Sequence, residues 1–89
     1  MSKPYRDVLA GDVKVRTFSG NTIDEELVWH RDANDRLVEV VSSSGWQIQL
    51  EDKLPRVMNE GDKFWIPRDE WHRLIKGRGD LVLKITEST

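Results

Sequence analysis

Two histidines are the only imidazoles in the chain, His30 and His72, and Asp32 stands two residues after the first of them. Two neutral imidazoles and one carboxylate form the facial set that holds non-haem iron(II) with open positions, and a similar trio can hold catalytic zinc. On a strand alternate side chains share a side, so His30 and Asp32 of "VWHRD" would project together while Trp29 and Arg31 face away. In "IPRDEWH" Pro67 sets a turn and His72 opens the next strand, from which a third ligand could arrive. Spacing alone leaves a plainer alternative open, with one histidine a core or edge residue and Asp32 a turn residue.

The elements that would have to position these groups are short and alternate between apolar and polar residues, which predicts an all-β sandwich or barrel. Strands are expected over 13–18, 26–32, 36–41, 45–50, 62–67, 71–76 and 80–85, with no sustained helical period. "TIDEEL" could form one capped turn of helix from Thr22, too short to stand by itself. Turns fall at "SSSG", "MNEGD", "PRDE" and "GRGD", where Gly, Asn and Asp let the chain reverse. The longest connection, 51–61, contains Leu54, Pro55, Val57 and Met58 and is expected to pack on the body.

Composition narrows the function classes. At 89 residues the chain has room for one domain with a modest core, of a size often supported by a metal or a partner subunit. Its net charge is −2 with acids and bases interleaved, so no basic stripe for nucleic acid is apparent. Without cysteine there is no disulfide framework and no thiolate chemistry. The start lacks the apolar run of a signal peptide and no segment has the length of a membrane span, so a soluble, cytoplasmic protein without a membrane partner is expected.

Residues 61–72, "GDKFWIPRDEWH", resemble the second sequence motif of the cupins: a Gly, five residues, a Pro, and a His five further on, with Gly61, Pro67 and His72 in register. Asp69 stands where a Gly is usual, and Lys76 where an Asn is often found. Upstream, "HRDANDRLVEVVSSSG" resembles the first cupin motif in part. His30 matches its first His, Asp32 occupies the second, Arg36 or Asp35 falls where a Glu belongs, and Ser43 or Gly45 closes it. "ELVWHRDxxDR" with "SGWQxQLEDxLP" is also similar to a group of short, uncharacterised cupins.

The resemblance implies an all-β, single-domain cupin β-barrel, an antiparallel jelly roll over residues 1–89 with 1–12 as an amino-terminal arm. It implies one divalent metal ion inside the barrel, held by His30, Asp32 and His72, with Asp35 the candidate fourth ligand. Iron, manganese, nickel and zinc are not distinguished. Arg36 would either fork onto the carboxylate of a substrate at the open positions or pair with Asp32 or Asp35 and replace the metal. Gln47, Gln49 and Lys76 are further candidates for holding a small, anionic ligand, and Val38 and Val40 for an apolar wall beside the metal.

An oxygenase or isomerase acting on a small molecule is the resulting expectation. The alternatives are a metal-free module for a small anion or sugar acid, and a structural cupin without catalysis. Trp29 and Trp71 have the parity opposite to the histidines, and outward rings of that size point to a homodimer.

Overall fold

The chain reverses often because its apolar runs are short, and each reversal yields an antiparallel pair. The computed structural model describes residues 4–23 and 27–88 and contains eight strands. They are β1 (Tyr5–Ala10), β2 (Val13–Phe18), β3 (Asp35–Ser42), β4 (Gln47–Leu50), β5 (Arg56–Val57), β6 (Lys63–Ile66), β7 (His72–Ile75) and β8 (Leu81–Ser88). Five of them pair in the order β1-β2-β8-β3-β6 and three in the order β5-β4-β7, every pair antiparallel. The two ladders remain separate, so the barrel is open at its sides, and no helix occurs among the described residues.

Alternation decides which face of each strand is buried. Phe18, Val38, Val40, Leu83 and Ile85 from the larger sheet meet Ile48 from the smaller one in a single apolar cluster. Trp46 and Met58, just outside β4 and β5, fill its end, with Trp46 wholly buried. The indole Nε1 of Trp46 donates to the carbonyl of Gly79 at 3.1 Å, which satisfies its one polar atom inside the core. That carbonyl belongs to the "GRGD" turn, where Gly79 has φ +62°.

Most expected strands are present with shifted ends, and four differences matter. The amino-terminal arm contains β1, which pairs along its whole length with β2. The segment expected as a strand over 26–32 joins the smaller sheet only through a bridge between His30 and His72, and residue 26 lies outside the described residues. The turn expected from Thr22 also runs into undescribed positions, 24–26. In the 51–61 connection only Met58 is buried, while Leu54 is 87% exposed and Val57 lies on the short edge strand β5.

Candidate metal centre

A cavity of about 270 Å³ lies between the inner faces of the two sheets. One end carries His30, Asp32, Arg36 and His72; the remaining wall is largely apolar, with Val38, Ile48, Phe64, Ile66, Leu74 and Leu83 among its residues.

The two sides of the polar end are built differently. On one, His72 opens β7 opposite Leu50 of β4, and this register turns its ring into the core, where it is buried. The chain reaches it through a turn in which Asp69 has φ +62°, a left-handed conformation that aspartate tolerates better than most residues. Asp69 therefore does, in the resembling motif, what glycine usually does there.

On the other side, residues 28–34 form no ladder. They are fastened to the first side instead, by reciprocal bonds between His30 and His72 (3.0 and 2.8 Å) and by the Asp69 N–H donating to the Asp32 carbonyl at 2.8 Å. The Arg68 N–H adds a bond of 2.8 Å to Asp35 Oδ1. These four bonds bring the histidines together without a continuous strand.

The imidazole rings lie edge to face with centroids 4.3 Å apart. His30 Nδ1 is 3.1 Å from the Val28 carbonyl and His72 Nδ1 is 2.9 Å from the Glu70 carbonyl. A carbonyl only accepts, so in each ring Nδ1 carries the hydrogen and, in the neutral form, Nε2 keeps a lone pair. Burial, with the neighbouring His30, holds the pKa of His72 below the ordinary histidine value, against the opposing pull of the Glu70 carbonyl and Asp32. His72 is accordingly neutral at pH 7.

Its Nε2 lies 3.3 Å from Asp32 Oδ2, so a lone pair faces a carboxylate with no hydrogen between them. One ligand atom from each of His30, Asp32 and His72 lies within 4.8 Å of the others. Backbone carbonyls that fix the outer nitrogen of each imidazole are the usual support for metal-binding histidines. The donor set therefore fits a divalent cation, which would remove the repulsion among three converging acceptors.

Arg36 projects from β3 into the same end, with Nη1 3.1 Å from Asp32 Oδ2 and Nε 3.5 Å from Glu87 Oε2. Neither contact satisfies the groups involved: Asp32 Oδ2 and Arg36 Nε are both buried and without a hydrogen bond. Glu87 is already engaged by Lys14, whose hydrogen bond is the main reason its pKa lies below the usual carboxylate range.

Several expected site residues are placed elsewhere. Asp35, the candidate fourth ligand, stands outside the His30–Asp32–His72 group: its Oδ1 accepts the Arg68 N–H, and it is not among the residues lining the cavity. Gln47, Gln49 and Lys76 also lie outside the cavity lining. On β4 it is Ile48 that faces inward, and the Gln49 amide is occupied by the Lys53 carbonyl (2.9 Å) and Arg73 Nε (2.9 Å). Val38 borders the cavity, whereas Val40 is buried in the core away from it.

Trp29 and Trp71 face outward, 40% and 42% exposed. Each has a guanidinium over its ring, Arg73 at 5.1 Å and Arg31 at 5.2 Å.

Tyr5, Asp7 and Arg16 were not legible as site residues. Arg16 borders the cavity although it is buried, its Nε and Nη2 forked onto Asp7 at 2.8 and 2.9 Å and its guanidinium 3.6 Å from the centre of the Tyr5 ring. Burial is the largest single influence and works against its charge, but the bond to Asp7 together with the charge interactions with Tyr5, Asp7 and Asp32 holds its pKa above the ordinary value. The signal in "VKVRTF" is ambiguous, since either the valines or Arg16 and Phe18 could face inward.

No protein-family model and no curated protein matches the sequence. Solved structures do match. A cupin-2 domain containing protein from Shewanella frigidimarina is 19% identical over 94% of this chain and 79% of its own, with a TM-score of 0.65. KdgF from Halomonas sp. is also 19% identical over 96% of this chain and 79% of its own, with a TM-score of 0.67. The chain spans about half of FeII HppE, covering 48% of that protein with 94% of its own length, at 12% identity and a TM-score of 0.70. At these identities the likeness establishes the architecture, and with two antiparallel sheets closing on one cavity the protein has the fold of a small cupin.

Proposed function

We propose that the protein binds one divalent metal ion through His30, Asp32 and His72 and acts on a small anionic molecule held in the adjoining cavity. The observation that carries this reading is the convergence of one ligand atom from each of His30, Asp32 and His72 within 4.8 Å, with His72 Nε2 3.3 Å from Asp32 Oδ2. FeII HppE, a structure of the same fold, is an iron protein by its name, which adds support for a metal but does not select one. Iron, manganese, nickel and zinc all suit imidazole and carboxylate donors to differing degrees.

A bound ion of this kind would supply Lewis-acid chemistry and, if redox-active, electron transfer, which makes an oxygenase or an isomerase the candidate activity. The residues of the chain would do the rest. His30, Asp32 and His72 would hold the ion from one side, Arg36 would orient an anionic group, and Val38, Ile66 and Leu74 would keep water from the reacting end.

The Arg36–Asp32 contact favours a second reading, in which the guanidinium takes the place of the metal and the cavity is a binding site for a small anion or sugar acid. A structural, dimeric cupin, joined through the Trp29 and Trp71 face, is a third. Thermal unfolding with each divalent ion and with a chelator separates the first reading from the other two. At an ion concentration about 100-fold above the dissociation constant, the first reading predicts roughly 2.7 kcal/mol of added stability. For a domain of this size that is a rise in Tm on the order of 10 °C or more. The same Tm with every ion and with chelator would reject it.

A further inference from the structure

Two arginines border the cavity, and they are held in different ways. Arg16 is fixed by a fork of two short bonds to Asp7 and by the face of Tyr5. Arg36 is held only by contacts to Asp32 and Glu87 that leave its buried Nε without a hydrogen bond. A buried donor in that state favours any arrangement that provides an acceptor.

Resting on the metal-binding reading above, we infer that Arg36 changes partner: it leans on Asp32 when no metal is bound and turns to the carboxylate of a small, apolar-bodied acid when a metal takes Asp32, so that metal and acid bind cooperatively. The atom in contention is a single oxygen. Asp32 Oδ2 lies 3.1 Å from Arg36 Nη1 and 3.3 Å from His72 Nε2, so an ion held by His72 and Asp32 draws on the oxygen that Arg36 approaches. The same ion repels the guanidinium. Glu87 offers Arg36 only a long contact: its Oε1 takes Lys14, and its Oε2 lies 3.5 Å from both Arg36 Nε and Asn34 Nδ2.

A carboxylate entering the cavity offers what Arg36 then lacks, two parallel acceptors in the geometry that a guanidinium prefers. It also offsets the positive charge that a divalent ion adds, since Asp32 and Arg36 already cancel each other. The body of the acid is set by the rest of the cavity. Arg16 at the wall is engaged by Asp7 and Tyr5, and Val38, Phe64, Ile66, Leu74 and Leu83 present no hydrogen-bonding side chains, so a short aliphatic or aromatic acid fits this part of the cavity better than a polyhydroxylated one. The volume of about 270 Å³ is at the small end for ligand sites.

The test uses cobalt(II), whose visible absorption reports its coordination, with butyrate and benzoate as acids and butyramide as the uncharged control. Titration calorimetry of the full chain should show butyrate or benzoate raising cobalt affinity about tenfold, with cobalt raising acid affinity by the same factor, as linkage requires. Butyramide should have no effect. In Arg36→Gln, cobalt should bind at least as tightly as in the unaltered protein, because Asp32 has lost its competitor, and the acid should change cobalt affinity by less than about twofold. Arg36→Lys, which keeps the charge but not the fork, should retain part of the coupling and guards against misfolding of the Gln variant; circular dichroism checks both.

The absence of any acid effect in the unaltered protein would overturn the inference, as would an effect that survives undiminished in Arg36→Gln, since the acid would then be read by the ion alone. No cobalt binding under any condition would overturn the metal reading with it, an outcome distinguishable from metal binding without coupling.

Discussion

The two sides of the site reach the same cavity by different means. His72 sits at the start of a strand, in register with β4, buried, and preceded by a turn in which Asp69 takes the left-handed conformation. His30 and Asp32 sit on an irregular segment that is tied to the His72 side by three backbone hydrogen bonds, with a fourth bond at Asp35 where β3 begins, and His30 is exposed. A ligand fixed by a ladder inherits its direction from strand alternation. A ligand on a fastened segment depends on the bonds that fasten it. The second side is also where the sequence departs from the motif it resembles, and where Arg36 enters.

If that contrast is right, the largest effect comes from the ladder side. His72→Ala should lower divalent-metal affinity by about 100-fold or more, whereas His30→Ala, at an exposed position that water can reach, should lower it by about tenfold. Equilibrium dialysis against zinc measures both, and equal losses would break the comparison.

Asp32→Asn comes next. It leaves the Arg36 guanidinium without its carboxylate, and should reduce the stability of the metal-free protein by about 2 kcal/mol in urea unfolding as well as weaken metal binding. Asp35→Ala, at the start of β3, removes the acceptor of the Arg68 N–H and should cost about 1 kcal/mol. Because Asp35 stands outside the group of converging ligand atoms, its loss should leave metal affinity within about tenfold, through loosening of the neighbouring segment.

The pH dependence follows from His72. Its folded-state pKa lies below the ordinary value of 6.5, so the unfolded chain takes up a proton first as pH falls. The stability associated with the neutral ring is fully present above that ordinary value and is lost as pH falls through the lower, folded value. Urea unfolding of metal-free protein should show this decline, and His72→Asn should flatten it. The smallest effect is expected at the turn: Asp69→Gly, which relieves a left-handed conformation, should raise stability by about 0.5 kcal/mol and leave the bond to the Asp32 carbonyl in place.

How much of this was legible in the sequence follows the same division. Alternation and turn residues located β2, β3, β4, β6, β7 and β8, because a strand buried on one face must repeat with a period of two. His30, Asp32 and His72 were found by residue type and spacing, and the structure brings their ligand atoms together. Alternation could not show that 28–34 is irregular, since the bonds that hold it come from residues far along the chain. Nor could it place Gln47 and Gln49, whose strand had two admissible faces until Trp46 and Ile48 filled the core. Strand β1 was missed because "YRDVLA" has no clean alternation, and with it went Asp7, Tyr5 and the reason a buried Arg16 is tolerated.

The central claim is that His30, Asp32 and His72 hold a metal ion, and elemental analysis tests it most directly. The protein, prepared without a histidine tag, would be measured as isolated and after separate exposure to iron(II), manganese, nickel and zinc, beside His72→Ala. The account predicts an equimolar amount of at least one of these metals in the unaltered protein and its loss in the variant. No metal in any preparation, or the same content in both proteins, would contradict it.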